Sequence, residues 1–273
     1  MPDTVPQKTG LSSLQLRIIS ASILAPVAVA AVFLGGFYFI AFLTIAAMVM
    51  CFEWCRTSFK HNKASYCLLS AVWILVGIYL NYEQQIASAF LALVICSAGI
   101  FLLSLINRHE KEWIGAFLGP LYIGIPVLCL MNLREIEGNG LAFTALLFFV
   151  VWATDTGAYF SGKTIGGPKI AVRISPNKTW AGLIGGMVSA AIVAILAVKY
   201  LEINEHSYWI VAMVGALFAV LAQVGDFAES GWKRYFDIKD ASGIIPGHGG
   251  VLDRLDGVLF VAPALYLIVI ALR

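Results

Sequence analysis

Charge is scarce in this sequence. Only 12% of its 273 residues are Asp, Glu, Lys or Arg, whereas 60% are hydrophobic. A water-facing surface needs about 25–35% charged residues, so an ordinary soluble domain is excluded. The charge present is nearly balanced at +2, which points to no nucleic-acid partner. Histidine is rare, and His61, His109 and His206 stand alone in polar stretches with no functional expectation. The five cysteines (Cys51, Cys55, Cys67, Cys96 and Cys129) lie in or beside apolar runs and form no disulfide framework. Cys51 and Cys55 are one helical turn apart, a spacing able to hold a metal, but small apolar packing residues are the stronger reading. Internal repeats and low-complexity tracts are also missing.

What the sequence has instead is long apolar runs. About 20 apolar residues span a bilayer as a helix. Helices are required because lipid offers no partner to a bare backbone amide. Nine spans are expected: Leu16–Gly35, Gly36–Trp54, Tyr66–Asn81, Ile86–Ile106, Trp113–Leu133, Leu141–Phe160, Trp180–Tyr200, Tyr208–Lys233 and Val251–Arg273. The first run is too long for a signal peptide and reads as a retained span. The expected fold class is therefore all-α, a polytopic integral membrane protein with about nine transmembrane helices.

An odd span count puts the termini on opposite sides. Of the 18 basic residues, all but Arg134, Lys199 and Arg273 then fall on the N-terminal side. The positive-inside rule makes that side cytoplasmic. The connecting segments after the sixth and eighth spans are the longest there, and they are rich in Gly, Pro, Ser, Lys and Asp. The chain is accordingly divided into an N-terminal transmembrane scaffold, 1–138, and a C-terminal catalytic region, 139–273, with motif-bearing cytoplasmic loops.

Three segments carry the chemistry. The first, Trp152 to Tyr159, places Asp155 near the end of an apolar span, where a carboxylate is costly and usually has a partner or a function. A helix-end carboxylate reaching interfacial water explains it equally well. The second runs from Gly162 through Lys163, Gly166, Gly167 and Lys169 to Arg173, Ser175, Asn177 and Lys178. Glycines let backbone amides approach an anion, and lysines supply positive charge. Ser175 or Asn177 is expected to cap the seventh helix, whose N-terminus would favour a phosphate. An ordinary basic loop remains the alternative, and the Gly-x-x-x-x-Gly-Lys-Ser/Thr spacing of a P-loop is absent.

The third segment is the most informative. Asp226, Glu229, Ser230 and Lys233 recur at i, i+3, i+4 and i+7 and share one helix face. Asp253 and Asp256 share a face of the last helix, and the Gly/Pro-rich loop between can fold the two faces together. Carboxylates converging there would repel one another, and a divalent cation resolves this. Oxygen-only ligands suit Mg²⁺, which beside lysines is the usual apparatus of nucleotidyl transfer. Structural salt bridges to Lys233, Arg234 and Arg254 are the competing reading. His248, between glycines, is either a phosphate donor or base, or simply a hydrogen-bonded loop residue.

The stretch from Ser230 to Asp256 reads S-x-x-K-R-x-x-x-x-K-D-x-S-G-x-x-P-G-H-G-G-x-x-D-R-x-D. It closely resembles the signature of the phosphatidate cytidylyltransferases, also called CDP-diacylglycerol synthases. The D-T-G-A-Y stretch at Asp155 and I-S-P-N-K-T at Ile174 resemble further family motifs. The likeness covers the C-terminal half; the first five spans match only in being hydrophobic. It implies an enzyme that transfers CMP from CTP to phosphatidic acid, giving CDP-diacylglycerol and pyrophosphate in phospholipid biosynthesis, with Mg²⁺ and a monovalent ion such as K⁺. By resemblance Asp226, Asp253 and Asp256 hold the metal and, with Lys178, are the catalytic set. Expected substrate contacts are Ser175 and Lys178 in the second segment, and Ser230, Lys233, Arg234, Lys239, His248 and Arg254 in the third. The resemblance further implies a homodimer and a lipid-accessible, cytoplasm-facing cavity, and compact size favours a bacterial inner (plasma) membrane. Asn177, Ala181 and Gly257 depart from the family's common pattern, but none of them is an expected metal ligand.

Two other classes fit less well. A secondary transporter would place its carboxylates near mid-span, commonly between repeats. A purely structural subunit would not need three acidic segments on one side. The Asp-Gly-x-x-Ala-Arg pattern of the CDP-alcohol phosphotransferases is absent.

Overall fold

The computed structural model describes residues 13–107, 112–203, 207–247 and 249–272. Among them are nine helices long and apolar enough to cross a membrane, so the chain is a multi-pass membrane protein. In order these are α1 (Ser13–Leu34), α2 (Gly36–Ser58), α3 (Lys63–Tyr82), α4 (Ile86–Ile106), α5 (Glu112–Arg134), α6 (Gly140–Thr164), α7 (Trp180–Tyr200), α8 (Tyr208–Tyr235) and α9 (Leu252–Ala271). The helix ends lie close to the span limits read from hydropathy. Pro26, Pro120, Pro126 and Pro263 sit inside helices, which membrane helices tolerate because neighbours re-satisfy the freed carbonyls.

Side-chain hydrogen bonds sort the helix ends into two groups. At one end Arg134 Nε donates to the Val32 carbonyl at 2.7 Å, and Asn132 Nδ2 donates to Asn81 Oδ1 at 3.0 Å. These bonds gather the C-termini of α1, α3 and α5. Arg134 also closes the α1–α2 turn, capping the last carbonyls of α1 beside Gly35, whose φ of +65° is open to glycine. At the opposite end Arg17 Nε donates to the Gly247 carbonyl at 2.9 Å, and Trp232 Nε1 donates to Ser58 Oγ at 3.0 Å. There the start of α1, the end of α2 and the end of α8 meet. This is the up-and-down alternation that nine consecutive spans require.

Packing rather than water drives the association of helices in lipid, so small residues and ring stacks matter. α5 is the most enclosed helix. Trp54 of α2 stacks on Trp232 of α8, with ring centres 4.4 Å apart and planes at 6°, and its Nε1 donates to the Gly115 carbonyl of α5 at 2.8 Å. α6 and α7 meet through glycine: Gly182 faces the Ala158 carbonyl, and Gly186 faces Thr154. Large apolar residues such as Phe37, Leu102 and Trp209 point outward from the bundle.

The α6–α7 connection is where the sequence reading needs correction. It forms an antiparallel hairpin of β1 (Lys169–Ala171) and β2 (Ser175–Thr179), with Lys169 opposite Thr179 and Ala171 opposite Ser175. The strand stays extended up to Thr179. Thr179, and neither Ser175 nor Asn177, is therefore the cap of α7, its hydroxyl accepting from Gly182 N at 3.1 Å. The two short strands leave the architecture all-α.

Candidate active site

The site grows from the last turns of α8. Helical spacing puts Asp226, Glu229, Ser230 and Lys233 on one face, and the local contacts follow from it. Ser230 Oγ donates to Asp226 Oδ1 at 3.3 Å, and Lys233 Nζ lies 3.4 Å from Glu229 Oε1. Lys233 also crosses to α9, where it meets Asp253 Oδ1 at 2.5 Å. The charge pairing weighed as a competing reading thus exists for Lys233, and it ties the two acidic faces together.

Glycine sets the helix separation. Gly225, just before Asp226, lies against the Asp256 backbone, and a side-chain carbon there would sit 3.0 Å from the Asp256 carbonyl carbon. Gly257 faces Ala222 across the same crossing. With no Cβ on either helix at this point, α9 runs close to α8. Asp226 and Asp256 thereby come within electrostatic reach of each other.

The hairpin supplies the third side. Lys178 of β2 ion-pairs with Asp226, and its ammonium lies 4.8 Å from the centre of the Phe227 ring. Asp155 of α6 is within electrostatic reach of Asp226, Asp256 and Lys178. The D-T-G-A-Y segment and the third segment are therefore neighbours in space.

These groups surround a cavity of about 800 Å³ whose wall includes Asp226, Glu229, Lys233, Asp253, Arg254 and Asp256. Ser230 and Lys178 join it through Asp226. Other expected contacts lie apart. Ser175 sits near the hairpin tip, and Arg234 and Lys239 are exposed beyond the wall, with Arg234 Nη1 donating to the Ile238 carbonyl at 3.3 Å. His248 falls outside the described residues.

Residues that the sequence reading missed lie in the wall and behind it. Arg17 of α1 and Asp240 line the cavity. Glu53 of α2 is fully buried, and its carboxylate accepts from the segment entering α9. A signal for Glu53 was present: it is a carboxylate inside an apolar span, the same criterion that marked Asp155. The cysteine pair is also extended, since the sulfurs of Cys51, Cys55 and Cys67 lie within 4.8 Å of one another. None of the three lines the cavity.

The donor chemistry fits a hard divalent cation. Five acidic and three basic residues line the cavity, in a chain whose overall charge is positive. Glu229 Oε1 is buried and makes no hydrogen bond of good geometry among the described residues, its neighbouring cation being Lys233 Nζ at 3.4 Å. Carboxylate oxygens in excess of cations suit Mg²⁺, which commonly takes one or two carboxylates and completes its shell with water and substrate phosphate. Asp226, Asp253 and Asp256, the ligands expected from the resemblance, all line this cavity.

Known proteins match over most of the chain. A family model described as "Cytidylyltransferase family" matches residues 15–272. A phosphatidate cytidylyltransferase of Brucella suis biovar 1 (strain 1330) is 39% identical over 259 residues, covering 94% of this chain and 93% of the relative. The protein of that name from Staphylococcus aureus (strain COL) is 30% identical over 262 residues, covering 94% and 99%. With a family model spanning nearly all of its length, this chain belongs to the cytidylyltransferase family.

Proposed function

We propose that the cavity is where CMP passes from CTP to phosphatidic acid, giving CDP-diacylglycerol and pyrophosphate. One observation carries the reading: Asp226, Asp253 and Asp256, together with Lys178 and Lys233, converge at one end of a membrane bundle around one cavity. Family membership supports the class of reaction. An acid cluster at the helix ends also favours an interfacial enzyme over a transporter, whose site lies near mid-span.

In the reaction a phosphate oxygen of the lipid forms a bond to the α-phosphorus of CTP. The bond from that phosphorus to the oxygen bridging to the β-phosphate breaks, and pyrophosphate leaves. The nucleophile is already an anion, so no strong base is needed, and no catalytic role is assigned to His248. Asp226, Asp253 and Asp256 would hold Mg²⁺, with K⁺ as an accompanying ion, and the bound metal would supply positive charge to offset that of the phosphates. Lys178 and Arg254 contribute fixed positive charge that attracts the triphosphate and the lipid phosphate. Lys233, held between Glu229 and Asp253, keeps the two acidic faces in register.

Placement follows from the same reading. The site end carries most of the basic residues, which supports a cytoplasmic orientation. The bacterial relatives support an inner (plasma) membrane location. The family resemblance supports a homodimer.

The test is formation of CDP-diacylglycerol from CTP and phosphatidic acid by protein purified in detergent, with and without Mg²⁺, beside Asp256→Asn. The parent is expected to be active only with Mg²⁺, and the variant to lose at least about 100-fold. A parent inactive with Mg²⁺ and K⁺ in several detergents refutes the reading. Activity in both proteins removes Asp256 from the metal set.

A further inference from the structure

We propose that Glu53, on the second helix, is a positioning residue for the metal-binding aspartates of α9; the inference rests on the function proposed above. Glu53 lies among apolar neighbours and is 0% exposed. A buried carboxylate is strongly unfavourable unless its oxygens are satisfied. Here both are. Oε1 accepts from Val251 N at 3.0 Å and from the Ser242 hydroxyl, and Oε2 accepts from Leu252 N at 2.9 Å.

Those donors belong to the entry of α9. The first amides of a helix have no partner within the helix and carry its positive dipole end. Val251, the capping position of α9, offers no side-chain cap of its own. Glu53 supplies that cap from 198 residues away in sequence. Asp253 completes it by accepting from Gly250 N at 2.9 Å. A single carboxylate therefore fixes the height and rotation of the first turn of α9, which presents Asp253 and then Asp256 to the cavity. Through Ser242 it also holds the far side of the Gly/Pro-rich loop.

The anchor is itself fixed. The next residue, Trp54, is stacked on Trp232 and hydrogen-bonded to Gly115. Glu53 is thus referenced to α5 and α8, and α9 is referenced to Glu53. Aspartate at this position falls short by one methylene, about 1.5 Å. Glutamine fits the space, but its amide places a donor against either a backbone N–H or the donors that Oε1 serves. It cannot satisfy all three partners as a carboxylate does.

The experiment compares the parent, Glu53→Gln and Glu53→Asp in detergent by two readouts besides activity. Hydrogen exchange followed by mass spectrometry reports on the amides of Val251 and Leu252. Mn²⁺ titration by electron paramagnetic resonance gives a Kd for the metal site. In both variants these amides are expected to exchange at least about tenfold faster, while the interior of α9 is unchanged. Mn²⁺ is expected to bind about 10–100-fold more weakly, as is typical when the support of metal ligands is removed. A merely structural role would reduce the folded fraction without changing the Kd of the molecules that remain folded. Unchanged exchange at Val251 and Leu252, or an unchanged Kd alongside faster exchange, overturns the proposal. Should the parent make no CDP-diacylglycerol, the proposed function fails, and the exchange and Mn²⁺ readouts still decide the role of Glu53.

Discussion

Gly225→Ala tests whether the α8–α9 crossing sets the site. The added methyl would overlap the Asp256 carbonyl oxygen, its nearest neighbour, and lie 3.0 Å from the Asp256 carbonyl carbon and 3.0 Å from Cδ2 of Phe260. Non-bonded carbons rest at about 3.5–4.0 Å, so α9 must retreat by at least about 0.5 Å. The obstacle is backbone, which a change of rotamer cannot move. Overpacking of this kind costs about 1–3 kcal/mol. A displacement of 1 Å in reacting groups can cost about 100-fold in rate, so half of it predicts a kcat/KM loss of about 10–100-fold. Gly231→Ala is the control, because it makes the same change on the same helix with nothing within 4 Å of the new carbon. Alanine there is favoured by about 0.5–1 kcal/mol over glycine in a helix. CDP-diacylglycerol formation and thermal unfolding should be measured on both variants after size-exclusion chromatography. The expected result is a folded Gly225→Ala with a lowered Tm and low activity, beside a Gly231→Ala of parental activity and equal or higher Tm. A folded Gly225→Ala within about threefold of parental activity would refute the claim that this close approach places Asp256.

Two further outcomes are expected. Lys178→Ala removes a fixed positive charge beside Asp226 and should lower kcat by about 100–1,000-fold, with Lys178→Arg recovering part of it, as read by initial rates at saturating CTP. Gly186→Val inserts a branched side chain where a first carbon would already lie 3.1 Å from the Thr154 carbonyl oxygen. It should separate α6 from α7 and lower the thermal midpoint by the equivalent of about 1–3 kcal/mol. An unchanged midpoint would show that the two helices do not need glycine to approach.

The sequence alone determined the spans, their number and their alternation. Those features follow from local physics: a bilayer demands a fixed length of apolar residues and an internally bonded backbone. The helix face of Asp226, Glu229, Ser230 and Lys233 was equally legible, because helical spacing alone puts them together. The hairpin was not. Lys169–Thr179 has only three- and five-residue strands, and its Gly, Pro and Lys content reads as a loop. That reading placed the α7 cap at Ser175 or Asn177 instead of Thr179.

Only the tertiary structure decided how the segments meet. Lys178 reaches Asp226 because the hairpin folds back over α8, and Asp256 nears Asp226 because Gly225 leaves room for the α9 backbone. Arg17 joins the wall because α1 starts at the same end of the bundle, where it holds Gly247. Glu53 is the clearest case. Its bond to Val251 spans 198 positions, and its neighbours in sequence are phenylalanine and tryptophan. Hydropathy and periodicity extend over a turn or a span. Which buried carboxylate meets which free helix amide depends on how the helices pack, and that is a property of the assembled bundle.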